Sequence, residues 1–535
     1  MSTPVSQWSP GMAITSGRLQ YMLELALSGG SAINVVAYGA VGDGTTDDTA
    51  AIQAALDAAH SRGGGVVVLP AGFTFAIKTF LVVYDWTVIS AYGATVRSIG
   101  TTGLLRNFLS SETFTGYTGH SHIIVQGGVW DANASDGVTG TVTGMTNAFG
   151  FVHCEDITVR DVTIKNVSSS HGCEFNSTNG GRVLNCRFLG YRDNSGDSSR
   201  QFSEAVQIDI AVSGSSSIGA FDGTPSKNIL VQGCYFGASE RLGVWGRAVG
   251  SHTLASGAYY YGIQIIGNRI EGTLQEGIRG YGWRRAVIQG NVISETGRTG
   301  IMLTHPNPST AGYSPSSRDI TITGNTVDSP VADSAIRVLG FSGATCQQVV
   351  ISGNAIYGGT AGDANGIHVE YCTAPTVTGN NIGSPRSTGI YNNQSDNGSI
   401  TGNTVRNSAS NGINVNASTG TTVSGNVVNG TSANHCIFIG ASNDFLVTGN
   451  RTTNATGAGI RLGASATDGM VTNNRIIKGS SANGITGDAT ATGCTVALND
   501  LTGNGWSAGT AVGMSGGATF TFGGGSTSPG DNLVS

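Results

Sequence analysis

Four short segments between residues 171 and 283 hold most of the side chains in this chain that could do chemistry. They read His171-Gly-Cys173-Glu174-Phe175-Asn176, Glu204-Ala-Val206-Gln207-Ile208-Asp209-Ile210, Arg247-Ala-Val249-Gly250-Ser251-His252 and Glu276-Gly-Ile278-Arg279-Gly-Tyr281-Gly-Trp283. In an extended strand, alternate side chains face opposite ways. With Cys173 and Phe175 inward, Glu174 and Asn176 face out. With Val206, Ile208 and Ile210 inward, Gln207 and Asp209 face out, and Glu204 stands where that strand begins. Asp222 follows on a loop. If these strands stack about 4.8 Å apart, the outward groups of neighbouring strands become near neighbours. Two carboxyl groups in such a stripe can act as general acid and base, and a His and an Arg can hold a negatively charged ligand. Glu174, Glu204, Asp209 and Asp222 are the candidate acids and bases, with His252 beside them. Arg279, Gln207, Tyr281, Asn176, Trp283 and Arg247 are the candidate binding groups. Each also has a plain structural reading. A carboxylate can hold a neighbouring backbone, Arg279 can pair with Glu276 or Glu295, and aromatics on insertions often pack a loop.

The elements that would position these groups repeat. Gly-Asn steps recur at Asn268, Asn291, Asn325, Asn354, Asn380, Asn403, Asn426 and Asn450, and Asn474 and Asn499 continue the series, at spacings of 23 to 34 residues. A period of this size marks stacked units, each too small to bury a core alone. Runs such as Ile320-Thr-Ile-Thr323 and Thr422-Val-Ser424 alternate apolar and polar residues, and a second run in each unit centres on an Ile, as at Ile336, Ile367, Ile390 and Ile413. The pattern predicts an all-β parallel β-helix, with the repeated Asn side chains bonding between coils at one corner. Before the repeats, residues 46–59 predict a short capping α-helix. Thr46 or Asp47 would be its N-cap, and Ile52, Ala55, Leu56 and Ala59 its apolar stripe.

Composition agrees. There are 83 Gly among 535 residues, only 11 % of residues are charged and the net charge is −6. A one-dimensional core accommodates that length. Nothing points to nucleic acid or an anionic membrane, and no segment is long and apolar enough to span a bilayer. The eight Cys form no CxxC pair and read as buried free thiols, and no His/Asp/Glu spacing resembles a zinc site. The predicted organisation is an N-terminal segment at 1–30, a β-helix at 31–503 and a Gly/Ser/Thr-rich tail at 504–535. The first segment lacks the basic start and apolar run of a signal peptide.

Residues 35–72, with Ala-Tyr38-Gly-Ala-Val-Gly42-Asp43-Gly44-Thr-Thr-Asp47-Asp48 and then Gly-Gly-Gly-Val66-Val-Val-Leu-Pro70-Ala-Gly72, resemble the opening motif of the pectate-lyase-like β-helix superfamily. That group includes polygalacturonase-type hydrolases, pectate and alginate lyases, mannuronan epimerases and phage tailspikes. The outward acids followed by Gly-Ser-His and an Arg resemble the layout of polygalacturonase-type hydrolases, with Glu204-x-x-Gln207-x-Asp209 in place of that family's Asp-Asp pair. Met1 to Gly30, through Trp8-Ser-Pro-Gly-Met-Ala-Ile-Thr15, resembles attachment segments of phage tail proteins. The resemblance implies that the solenoid is a single-stranded right-handed parallel β-helix, and that the protein is a tailspike-like depolymerase that hydrolyses a bacterial polysaccharide. Polysaccharide lyase is the alternative, and an epimerase or a glycan-binding adhesin are further ones. It also implies a homotrimer, attachment to phage tail or baseplate proteins through the N-terminus, and release by lysis to work outside the cell. No cofactor is required, although Ca²⁺ held by Asp209, Asp222 and Glu174 is possible as in some lyases of the group.

Overall fold

The structure is a computed structural model. It describes residues 32–144, 147–213, 220–312, 315–328, 330–358, 364–477 and 483–501, together with strand segments at 512–514, 520–522 and 533–534. The proposed N-terminal attachment segment lies outside the described residues.

The chain winds as a stack of coils, each contributing a strand to three parallel faces. On the first face, Ile278–Tyr281 pairs with Ile301–Thr304, then Ile336–Leu339, Ile367–Glu370, Ile390–Asn393 and Ile413–Asn416. On the second, Trp283–Gln289 pairs with Arg318–Thr323 and then Cys346–Ser352. On the third, Arg269–Thr273 pairs with Val292–Thr296 and then Thr326–Asp328. Alternation within each strand sends one residue set inward, so like stacks on like. Ile278, Ile301, Ile336, Ile367, Ile390 and Ile413 form one such column, and all are fully buried. Each buried Ile or Val stabilises the fold by about 1.5–3 kcal/mol relative to an exposed one.

The Asn residues form a ladder at the corner between the second and third faces. The backbone N–H and the Nδ2 of each Asn donate to the Oδ1 of the next coil's Asn, as from Asn380 to Asn403 at 3.0 and 2.9 Å. The same Nδ2 donates back to a carbonyl of the preceding coil, Ile351 O at 3.0 Å for Asn380. A tight buried corner thereby keeps its polar groups paired. The preceding Gly is left-handed, with φ of 64° at Gly379 and 65° at Gly402, where a side chain would add strain. At its N-terminal end the ladder changes chemistry. Cys234 N donates to Asn268 Oδ1 at 2.9 Å, and Cys186 N donates to Cys234 Sγ at 3.4 Å. All eight cysteines are buried and free.

The capping helix spans Thr49–Ser61 and buries Ile52, Ala55, Leu56 and Ala59 against the first coils. Its N-cap is Asp48, not Thr46 or Asp47. The Asp48 carboxylate leaves the helix end alone and accepts from Val41 N at 2.6 Å and Gly42 N at 3.1 Å, fastening the preceding Gly-rich turn. At the other end the coils run past residue 503. Val512–Met514, Phe520–Phe522 and Leu533–Val534, the described residues beyond 503, each add a parallel strand to one of the three faces.

Candidate active site

The four reactive segments fall side by side on the first face. The register sets Glu174 opposite Gln207 and Asn176 opposite Asp209. Glu204 lies opposite Arg247, Gln207 opposite Gly250, and Gly250 opposite Arg279. Glu174 and Asp209 are therefore diagonal neighbours, one strand across and two residues along. A strand spacing of about 4.8 Å and a rise of about 3.3 Å per residue put their backbones about 8 Å apart. Glycines flank this pair in the same column. Gly150 precedes Glu174, and a Cβ there would meet no atom within 4 Å. At Gly250 a Cβ would approach Glu204 Cγ at 3.2 Å, so the missing side chain leaves room for the Glu204 carboxylate.

Glu204 is fully buried and faces Arg247 and two imidazoles. Arg247 Nη1 donates to its Oε1 at 3.0 Å, His252 Nδ1 lies 3.2 Å from the same oxygen, and His171 Nδ1 lies 3.4 Å from Oε2. Burial alone would raise its pKa, but His252, Arg247 and His171 together hold it far below the usual carboxylate range. His252 answers in kind. Burial pulls its pKa down, yet Glu204 beside it leaves it raised. The imidazole is 23 % exposed and opens to the surface. Behind this pair, Arg247 Nε donates to Glu276 Oε2 at 2.6 Å. Burial drives the His171 pKa down to about 3, so that ring is neutral and accepts the Glu204 backbone N–H at 3.2 Å.

Glu174 has the opposite environment. Burial, and then the neighbouring Asp209, raise its pKa to about 7, against weaker lowering by the hydrogen bond from Asn176 Nδ2 at 3.2 Å. Asn147 Nδ2 donates to its other oxygen. Asp209 is also raised by burial. Its anion is nonetheless supported by Gln207 Nε2 at 2.7 Å, by its neighbour's backbone Ile210 N at 2.9 Å and by the Tyr260 hydroxyl at 3.4 Å. Gln207 Oε1 is buried with no hydrogen-bond partner among the described residues. Arg279 lies over the Tyr281 ring at 4.7 Å and donates to Ser251 O at 3.3 Å, and it pairs with no carboxylate among the described residues. Burial, then Arg247, lower its pKa.

Three sequence candidates take other roles. Trp283 begins a second-face strand opposite Tyr260, is fully buried and donates from its indole N–H to Ser251 Oγ at 2.9 Å, so it offers no face to a ligand. Arg247 is buried between Glu204 and Glu276 and positions Glu204 instead of reaching a ligand. Asp222 is exposed on its loop, where it accepts from Gly116 N at 2.7 Å and Thr224 N at 2.9 Å, clamping two insertions together. The three carboxylates suggested for Ca²⁺ are thus not gathered around one point. Among the described residues no group of three His, Cys, Asp or Glu could hold a metal ion. Sequence reasoning missed the roles of His171, Tyr260 and Asn147. His171 carried a signal, since it stands three residues before Glu174, and so did Tyr260, in the cluster Tyr259-Tyr260-Tyr261 that reads as a sugar-stacking platform and instead supports Asp209.

A parallel β-helix with a cluster of buried carboxylates on one face defines the class. Two family descriptions match successive parts of the chain: rhamnogalacturonase A/epimerase, pectate lyase-like, over residues 32–244, and periplasmic copper-binding protein (NosD) over residues 309–507. The chain is a parallel β-helix, and its residues 32–244 are similar to the pectate-lyase-like family. Plasmin and fibronectin-binding protein A of Streptococcus pneumoniae is 29 % identical over 285 residues, covering 49 % of this chain and 39 % of the relative. Its solved structure matches with a TM-score of 0.59 at 20 % identity, over 81 % of this chain and 100 % of that one. Mannuronan C5-epimerase AlgE3 of Azotobacter vinelandii is 35 % identical over 150 residues, covering 25 % of this chain and 8 % of the relative. A tailspike protein of E. coli bacteriophage HK620, solved with a pentasaccharide, matches with a TM-score of 0.54 at 14 % identity, over 91 % of this chain and 78 % of that one. The chain spans well under half the length of these curated relatives.

Proposed function

We propose that this protein cleaves a polysaccharide by glycoside hydrolysis at the first-face cluster, with Glu174 as general acid and Asp209 as general base. The observation that carries the reading is the diagonal pairing of these two carboxyls in the strand register, with Glu174 held near neutrality. An acid with a pKa of about 7 keeps a proton to give to the leaving oxygen, and a supported anion can take one from water. The two residues are diagonal neighbours on one sheet face, with backbones about 8 Å apart, and the distance between their carboxyl groups in the substrate complex decides whether such a pair inverts or retains the anomeric centre. Glu204 is held ionised by its cations and does not supply the proton. It raises the pKa of the partly exposed His252, and with Arg279 and Tyr281 the protonated imidazole would bind the glycan's acidic groups. Action outside the cell on a bacterial surface glycan, as a homotrimer carried on a phage tail by the N-terminal segment, belongs to the same proposal. The tailspike-like fold supports it.

A second reading, removal of the C5 proton of a uronic acid, is supported by the stretch similar to a mannuronan epimerase and by Arg279, which lacks a carboxylate partner among the described residues. The mass of the products from bacterial and uronic-acid polysaccharides separates the two. One added water per cut, abolished in Glu174→Gln and Asp209→Asn, supports hydrolysis. An unsaturated end sinks it in favour of elimination. Unchanged length with inverted C5 means epimerisation, and binding without any change of product means an adhesin.

A further inference from the structure

We propose that Cys346 and Cys372 form an oxidisable dithiol that closes to a disulfide between adjacent coils when the protein meets a hydroperoxide. The two residues are direct partners in the parallel register, and both side chains are buried. In-register neighbours sit about 4.8 Å apart at the backbone, inside the range of roughly 4.4–6.8 Å that a disulfide spans.

Cys346 has a base beside it. Its Sγ lies 3.8 Å from His305 Nδ1. The tautomer of that ring follows from its other contacts, because Nε2 faces Ala344 O at 2.9 Å and must carry the proton. Nδ1 then carries the lone pair, which the Ser317 N–H at 3.2 Å and the Cys346 thiol at 3.8 Å share. The neighbouring Cys372 thiol and then His305 lower the Cys346 pKa to about 6, while Cys372 itself stays high. A thiolate beside a neutral thiol is the arrangement that attack and resolution require. The pair lies just beneath the surface, since the next residues outward, Thr345 and Thr373, are solvent-reached and bond to each other at 2.9 Å. The fold supplies its own control. Cys186 and Cys234 are stacked one coil apart in the same way, with no His contact among the described residues, and the Cys186 thiol is raised well above its ordinary value.

The chemistry balances without a metal. The Cys346 thiolate attacks one oxygen of the hydroperoxide, and the O–O bond breaks. An alkoxide or hydroxide leaves and takes up a proton, and Cys346 becomes a sulfenic acid. The Cys372 sulfur then attacks the sulfenic sulfur, the S–S bond forms, the S–O bond breaks, and water leaves carrying the thiol proton. Two thiols lose two electrons and the hydroperoxide gains them.

The test treats the reduced, folded full chain with hydrogen peroxide in steps, then quenches, unfolds, alkylates and maps peptides without reduction. The expected product is a 346–372 linked peptide two hydrogens lighter, formed at least about tenfold faster than any 186–234 link. In Cys372→Ser, Cys346 should be trapped by dimedone as a sulfenic acid, and His305→Gln should slow the link by about tenfold. Equal oxidation of both pairs, alkylation of Cys346 and Cys372 at every dose, or over-oxidation of Cys346 without a link overturns the proposal. These readings come from the wild-type chain and stand whether or not His305→Gln folds.

Discussion

Glu174 and Glu204 are buried carboxylates on neighbouring strands whose surroundings push them in opposite directions. Glu204 has three cationic or polar nitrogens within 3.4 Å, and Glu174 has amides and another acid. Cleavage that needs a protonated Glu174 should fall as pH rises through about 7, and a kcat/KM profile with that limb checks it. The same group links to stability. Its folded pKa lies above the unfolded one, so its contribution is fully present below the unfolded value and is lost as pH rises through about 7. Denaturation midpoints across pH 4 to 8 should show this decline in the wild type and not in Glu174→Gln. Replacing Glu204 by Gln removes the anion that keeps His252 charged, so the His252 titration followed by NMR should move down. At this scale, alternation along the strand made Glu174, Asn176, Gln207 and Asp209 readable, because one buried neighbour fixes which way each outward residue points. The Tyr260 partner of Asp209 was not readable, because it lies 51 residues away, whereas stacking of the segments set His252 beside the acids although it lies 48 residues from Glu204. Trp283 was misread because the chain turns from the first face to the second at the single residue Gly282, so the alternation that sends Tyr281 outward does not carry on to it.

The Asn ladder shows what a single element contributes. Asn403 Oδ1 accepts two bonds from Asn380, and its Nδ2 donates to Asn426 Oδ1 and Val377 O. Asn403→Ala leaves the buried Asn380 N–H without a partner and should cost roughly 2–4 kcal/mol in urea unfolding. Thr422→Ala, on a half-exposed strand position, should stay within about 0.5 kcal/mol. This element was visible in the sequence because a buried, bonded Asn cannot be exchanged for another residue without loss, so its period survives. The cap of the first helix was less visible. Thr46, Asp47 and Asp48 are equivalent as cap residues in sequence, and only the fold shows that Asp48 reaches back to Val41 and Gly42.

In the regular coils from Asn268 onward the corner bonds link each coil to its neighbours, so distant substitutions there should act independently. Asn291→Ala combined with Asn450→Ala should destabilise by the sum of the two within about 0.5 kcal/mol, measured by the same urea transitions, provided unfolding stays cooperative. The ladder also carries a consequence for how such a chain can change over generations. Successive Asn residues remain bonded whether 23 or 34 residues separate them. The 34-residue coil places its extra length in a surface excursion that includes the short helical turn Pro308–Ala311, far from the Asn corner. The corner works as a ruler that measures turns of the solenoid, not residues. Excursions can therefore be lengthened, shortened or exchanged without shifting the register of anything downstream. Next to the carboxylate cluster the ladder positions Cys186 and Cys234 stand 48 residues apart, the longest such excursion in the series. New specificity can be grafted there while the stack that presents it is inherited unchanged.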